Sequence, residues 1–269
     1  MNKYYKSKFL SNIIIFCSAS IATFSIPPFS FFFLVFVLGF GIYLITLRSS
    51  LKQTFIAGWF LGFGWFAFGL YWIGSAFMVA DTYHKVLMPL AIVILPSVLA
   101  IFWGLACVFA KLLTKKNQSS LFLIIVFLTL FEYLRAKLFT GFPWLMPSII
   151  LSSNEYLIQI FALVGSFTAN LFVFSFSILP FVLISNFKSK HIIFVLLSTS
   201  ITILFFSSFV RFYNKDTEKS DNNLITLVQP NIEQKDKWNF EKRNTNLNKL
   251  TQLSFQNVNE YKGVNRIMI

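Results

Sequence analysis

Long apolar runs separated by short clusters of lysine and arginine constrain this chain more than any other feature of it. The hydrocarbon core of a bilayer is about 30 Å thick, and a helix crossing it needs about 20 mostly apolar residues. Runs of that kind lie near 9–26, 29–47, 54–79, 87–110, 120–138, 157–185 and 191–210. They predict an all-α polytopic membrane bundle of about seven transmembrane helices over residues 1–210. Only Pro27-Pro28 separates the first two runs, which together also read as a hairpin that barely crosses. No small-residue cleavage site follows the first run, so it does not read as a cleaved signal.

Composition rules out the soluble alternatives. Hydrophobic residues make up 56% of the chain and charged residues 12%, against about 25% charged in ordinary soluble domains. Mean hydropathy is +0.69. The net charge of +13 would suit a nucleic-acid partner if the basic residues shared one solvated face. They are instead dispersed between apolar runs, so the expectation is no nucleic acid and a charge set by topology. One set of alternate loops carries Lys3, Lys6 and Lys8, then Arg48 and Lys52, then Lys111, Lys115 and Lys116, then Lys188 and Lys190. The opposite set holds only Lys85, Arg135 and Lys137. The positive-inside rule therefore predicts a cytoplasmic N-terminus and, after seven crossings, residues 211–269 outside, in a bacterium the periplasm.

Beyond Arg211 the chain becomes polar. Leu224–Val228 reads as a short buried strand stopped by Pro230. Asn239 is placed to cap a helix in which Leu247, Leu250, Ser254 and Val258 share a face, and Val264–Ile269 reads as a second strand. Those elements resemble the opening of an α/β domain, too small to hold a core of its own.

Few residues suggest chemistry. Glu132 and Arg135 are three apart near the outer end of the fifth run, on one helical face. A charge within the membrane costs about 2.5–3.5 kcal/mol, so the pair has a purpose. Either it is a structural ion pair anchoring the helix end, or Arg135 meets an anionic headgroup and Glu132 holds it in place. Thr140-Gly141-Phe142-Pro143-Trp144 follows as a turn, with Trp144 suited to the membrane interface. Gly58, Gly62, Gly64 and Gly69 alternate with aromatics and read as helix-packing positions. Cys17 and Cys107 read as small buried hydrophobes, Asp81 and His84 as an outer loop, and His191 as cytoplasmic. No cofactor and no metal site is expected.

Three motifs carry a family resemblance. Phe131-Glu132-Tyr133-Leu134-Arg135, followed by Phe139-Thr140-Gly141-Phe142-Pro143-Trp144, closely resembles apolipoprotein N-acyltransferase. Gly58-Trp59-Phe60-Leu61-Gly62-Phe63-Gly64, continuing to Gly69-Leu70-Tyr71-Trp72-Ile73, looks like that family's third helix. Leu227-Val228-Gln229-Pro230-Asn231-Ile232, with Gln234, Lys237 and Trp238, matches its passage into a periplasmic domain. At the sixth run the chain departs from the family: Val164-Gly165-Ser166-Phe167-Thr168-Ala169-Asn170 stands where a Gly-Gly-containing stretch is usual.

The resemblance implies a bacterial inner-membrane enzyme with eight membrane helices and a nitrilase-like (carbon-nitrogen hydrolase) αββα domain inserted before the last. It implies transfer of an acyl chain from a phospholipid to the N-terminal diacylglyceryl-cysteine of a lipoprotein, through a thioester on a Cys activated by Glu and assisted by Lys. Residues 211–269 then read as the truncated start of the nitrilase-like domain, with all three catalytic residues expected beyond residue 269. No catalytic residue is carried over, and the chain alone is expected to be inactive. Four positions carry over as substrate-binding: Trp238 near the acyl cavity, and Glu132, Arg135 and Trp144 on its membrane-facing floor. Two further readings stay open: half of a split enzyme completed by a separate chain, and a non-catalytic lipid-binding membrane protein.

Overall fold

In a computed structural model that describes residues 2–79, 82–114, 121–138, 143–185, 190–214, 223–233, 236–237, 239–255 and 265–268, each apolar run is helical over most of its length. The helices are α1 (Asn2–Ala22), α2 (Val35–Thr46), α3 (Leu51–Gly69), α4 (Gly74–Val79), α5 (Thr82–Leu113), α6 (Leu121–Leu138), α7 (Gln159–Ile184) and α8 (Lys190–Tyr213). Their outer surfaces keep large apolar side chains such as Val195, Leu196 and Phe206 exposed, as a helical membrane bundle requires.

Helix lengths differ from those the runs suggest. Among the described residues, three helical segments are long and apolar enough to cross a bilayer: Val86–Leu113, Gln159–Ile184 and Lys190–Tyr213. A fourth is added if the bent pair Leu51–Gly69 and Tyr71–Met78 is a single span. The break falls at Leu70, whose backbone (φ −108°, ψ 10°) leaves the helix before a 3-10 turn at Tyr71–Ile73. The second run shortens at its front: Pro27, Pro28 and Ser30 (φ 57°) use up residues in a turn, and the 12 residues of α2 rise only about 18 Å. His84 lies in the first turns of α5, so the expected outer loop is shorter than the sequence suggests; Asp81 lies outside the described residues.

The chain divides into two units, one of 1–74 with 88–214 and one of 75–87 with 215–269. In the first, α1 packs on α2 and α3, α2 on α7, and α7 on α6 and α8. Small residues permit the closest approaches. A side chain at Gly64 would run into the Phe16 carbonyl of α1, and one at Gly62 would press on Ala100 and Trp103 of α5. Gly58 faces Cys107 and Gly69 faces Leu145, so all four glycines singled out in the sequence lie at contacts. Ser50 caps α3 by accepting the Gln53 N–H at 3.3 Å. Within α7, Gly165 (φ 75°, ψ 166°) interrupts the helix with a kink, in backbone space that essentially only glycine occupies. Cys107 is buried as expected. Cys17 is not, because its position on α1 turns it to the outer face of the bundle beside the exposed Ile13, Ile14 and Ile21.

The second unit contains β1 (Asn223–Thr226) and β2 (Asn265–Met268), paired in parallel with Leu224 opposite Arg266 and Ile225 opposite Ile267. Between them in sequence is α9 (Arg243–Ser254), giving the strand, helix, strand order that parallel pairing demands. The helix starts later than expected. Asn239 does not cap it: its Oδ1 accepts the Glu241 N–H at 2.9 Å in a turn, and the N-cap, Lys242, makes no side-chain capping bond, its Nζ instead donating to Asp236 at 2.8 Å. Leu247 is exposed, Leu250 and Ser254 are half-buried, and Val258 lies outside the described residues.

Candidate functional site

Among the described residues, the first unit buries an ion pair. Glu132 and Arg135 project from the last turns of α6 with no exposed surface, Arg135 Nη2 lying 2.6 Å from Glu132 Oε2 and Nε donating to Oε1 at 3.2 Å. A buried charge is tolerated only when its remaining hydrogen-bonding capacity is used. Here Trp103 of α5 donates Nε1–H to Glu132 Oε1 at 2.7 Å. Arg135 Nη2 donates to the Trp144 carbonyl at 3.1 Å, and the guanidinium lies 5.0 Å from the centre of the Phe66 ring. The pair therefore binds the inner side of the turn after α6.

That turn is also fastened from α3 and α7. Trp65 of α3 donates Nε1–H to the Leu145 carbonyl at 2.9 Å, next to the carbonyl that Arg135 holds. Leu145 adopts φ 58°, which a leucine keeps only where its surroundings enforce it. Ser148, one residue past Pro147, donates its N–H to Asn170 Oδ1 of α7 at 2.8 Å. So anchored, the Trp144 indole stacks on Trp72 with ring centres 5.3 Å apart.

Both indoles line a cavity of about 770 Å³. Its other walls are Thr23, Phe24, Ile26 to Phe29, Phe68 to Tyr71, Pro143, Leu145, Met146, Ser148, Ile149, Phe161 and Ser166. This volume is in the usual range for small-molecule sites, about 300–1,000 Å³, and the lining is almost entirely apolar. A second cavity of about 670 Å³ lies among Phe32, Phe33, Tyr156 and Phe205. The Tyr156 phenol there is held above its ordinary pKa, first by its hydrogen bond with Tyr213. Among the described residues, those lining this second cavity include no buried charge. Among the described residues no three His, Cys, Asp or Glu side chains converge to hold a metal ion.

A family model described as the apolipoprotein N-acyltransferase N-terminal domain matches residues 18–179, which include the ion pair, the turn and every residue lining the larger cavity. The chain belongs to the apolipoprotein N-acyltransferase family. Relatives bearing that name include one from Rhodopseudomonas palustris, 32% identical over 211 residues (77% of this chain and 39% of the relative). One from Rickettsia bellii is 31% identical over 202 residues (74% and 40%). A third, from Brucella melitensis, is 30% identical over 262 residues (89% and 47%). The chain thus spans less than half the length of these relatives.

Within the apolipoprotein N-acyltransferase stretch, the structure brings together three of the four residues singled out from sequence, though not in one role. Trp144 lines the cavity, while Glu132 and Arg135 lie behind its wall. Trp238 lies outside the described residues. The sequence reading did not single out Trp65 and Trp103. A signal for both was present: tryptophan favours the membrane interface, so one in the middle of an apolar run needs a buried acceptor for its N–H.

Proposed function

We propose that residues 1–210 are the lipid-binding membrane part of an apolipoprotein N-acyltransferase, and that the cavity beside Trp72 and Trp144 receives an acyl chain of the phospholipid donor. The observation that carries this reading is a large apolar cavity whose wall is fixed from inside by a buried ion pair, all within the family-matched stretch. Trp144 contacts the chain. Glu132 and Arg135 act through it, because their polar atoms are engaged with each other, Trp103 and the Trp144 carbonyl. Trp238 is a further substrate-binding residue on the family resemblance alone.

The acceptor is the N-terminal amine of a diacylglyceryl-cysteine lipoprotein. About seven apolar segments lie across a bacterial inner membrane, the first two as a short hairpin, the N-terminus is cytoplasmic, and residues 211–269 begin a periplasmic nitrilase-like domain. The strand, helix, strand order of that segment supports this assignment. The nucleophile is not assigned to either cysteine of this sequence. Cys107 is sealed between helices, Cys17 faces outward, and neither lines the cavity. The Glu, Lys and Cys of the family chemistry come from outside residues 1–269, in the same polypeptide or in a separate one.

The test uses the 269-residue chain in nanodiscs with phosphatidylethanolamine bearing a photoactivatable diazirine on one acyl chain. Label is expected in peptides carrying Phe68 to Trp72 and Pro143 to Ile149, and Trp144→Ala should lower it about fivefold, the scale of 1 kcal/mol. Label spread evenly over all lipid-facing helices would remove the cavity from the reading. With a diacylated lipopeptide added, hydroxylamine-sensitive acylation of Cys17 or Cys107 would remove the assignment of the nucleophile elsewhere.

A further inference from the structure

We propose that Trp65 and Trp103 are positioning residues that set the pose of the Trp144 ring in the cavity wall; the lipid arm of the test below rests on the acyl-chain reading above. Both indoles have no exposed surface, and their rings stack with centres 6.1 Å apart. A buried indole N–H left without an acceptor is costly, so the acceptor each one takes is informative. Trp65 spends its N–H on the carbonyl of Leu145. Trp103 spends its own on Glu132, which orients Arg135, which in turn holds the carbonyl of Trp144. One tryptophan directly and the other by relay thus grip two consecutive carbonyls of the same turn.

The grip matters because Leu145 is in the left-handed region. Such a residue persists only when its neighbours over-determine it. Releasing either carbonyl lets the Leu145 peptide relax, and the Trp144 ring then leaves its stacking position on Trp72. Trp59 supplies an internal control. It is on the same helix as Trp65 and makes the same kind of bond, Nε1–H to the Ser97 carbonyl of α5 at 3.0 Å, yet its acceptor is not in the turn.

The experiment compares the wild-type chain with Trp65→Phe, Trp103→Phe and Trp59→Phe in nanodiscs. Amide hydrogen exchange of the 144–149 segment should quicken about tenfold in Trp65→Phe and in Trp103→Phe, as expected for a lost hydrogen bond to a buried carbonyl, and stay at the wild-type rate in Trp59→Phe. Diazirine-lipid label on the cavity peptides should fall about fivefold in the first two variants only. Unchanged exchange in Trp65→Phe, or an equal rise in Trp59→Phe, overturns the proposal; if Trp65→Phe fails to fold, Trp103→Phe reports on the same segment. Quickened exchange with no cavity label even in the wild type sustains the positioning role and fails the acyl-chain reading instead.

Discussion

Arg135 and Glu132 have no exposed surface, so the energetics of the pair are those of a buried network. Removing one partner leaves the other charge without compensation, which costs about 3–5 kcal/mol in such settings, whereas replacing both by apolar groups is often neutral. Arg135→Met and Glu132→Leu are each expected to lower the thermal unfolding midpoint in detergent strongly, and the double variant to recover most of the loss. Losses that simply add would show that the two side chains act independently. The pairing itself was legible in the sequence, because three residues along a helix put two side chains on one face. Its environment was not. Trp103 is 29 residues away, and only tertiary packing brings its N–H to the carboxylate.

Helix α3 is the element on which the site depends, because it supplies Trp65 and Phe66 to the network and Phe68 to the cavity. Its seat on α1 relies on the absence of a side chain at Gly64. Gly64→Ala drives a methyl into the Phe16 carbonyl and is expected to cost about 1–3 kcal/mol of stability, the usual scale of overpacking. Gly74→Ala meets only Met88 and Ile92 at ordinary contact distance and should change stability far less. Thermal unfolding of the two variants side by side checks this, and equal stability would show that α1 yields freely. Helix positions were readable from hydropathy, because burial in protein and exposure to lipid both select apolar residues. Helix ends were less so: the break at Leu70 and the start of α9 after Lys242 depend on backbone angles and hydrogen bonds with no strong residue signature.

For the whole molecule, the proposed arrangement of seven crossings makes a prediction that lengths alone do not. Alkaline phosphatase fused after Asn222 should be active and fused after Lys115 inactive, because the basic loops hold the latter in the cytoplasm. Equal activity at both sites would exclude an odd number of crossings between them. The i,i+3 spacing of the buried pair also bears on biosynthesis. In the proposed arrangement α6 is one of the crossings, and with acid and base on one helix it would carry its own counter-ion into the bilayer before any neighbour packs against it. Two charges that would each resist partitioning enter the lipid as a nearly neutral dipole. Trp103 precedes the pair in the chain, so in that arrangement the helix bearing the carboxylate's N–H partner would enter first. The order of residues along the chain is thus also a workable order of insertion.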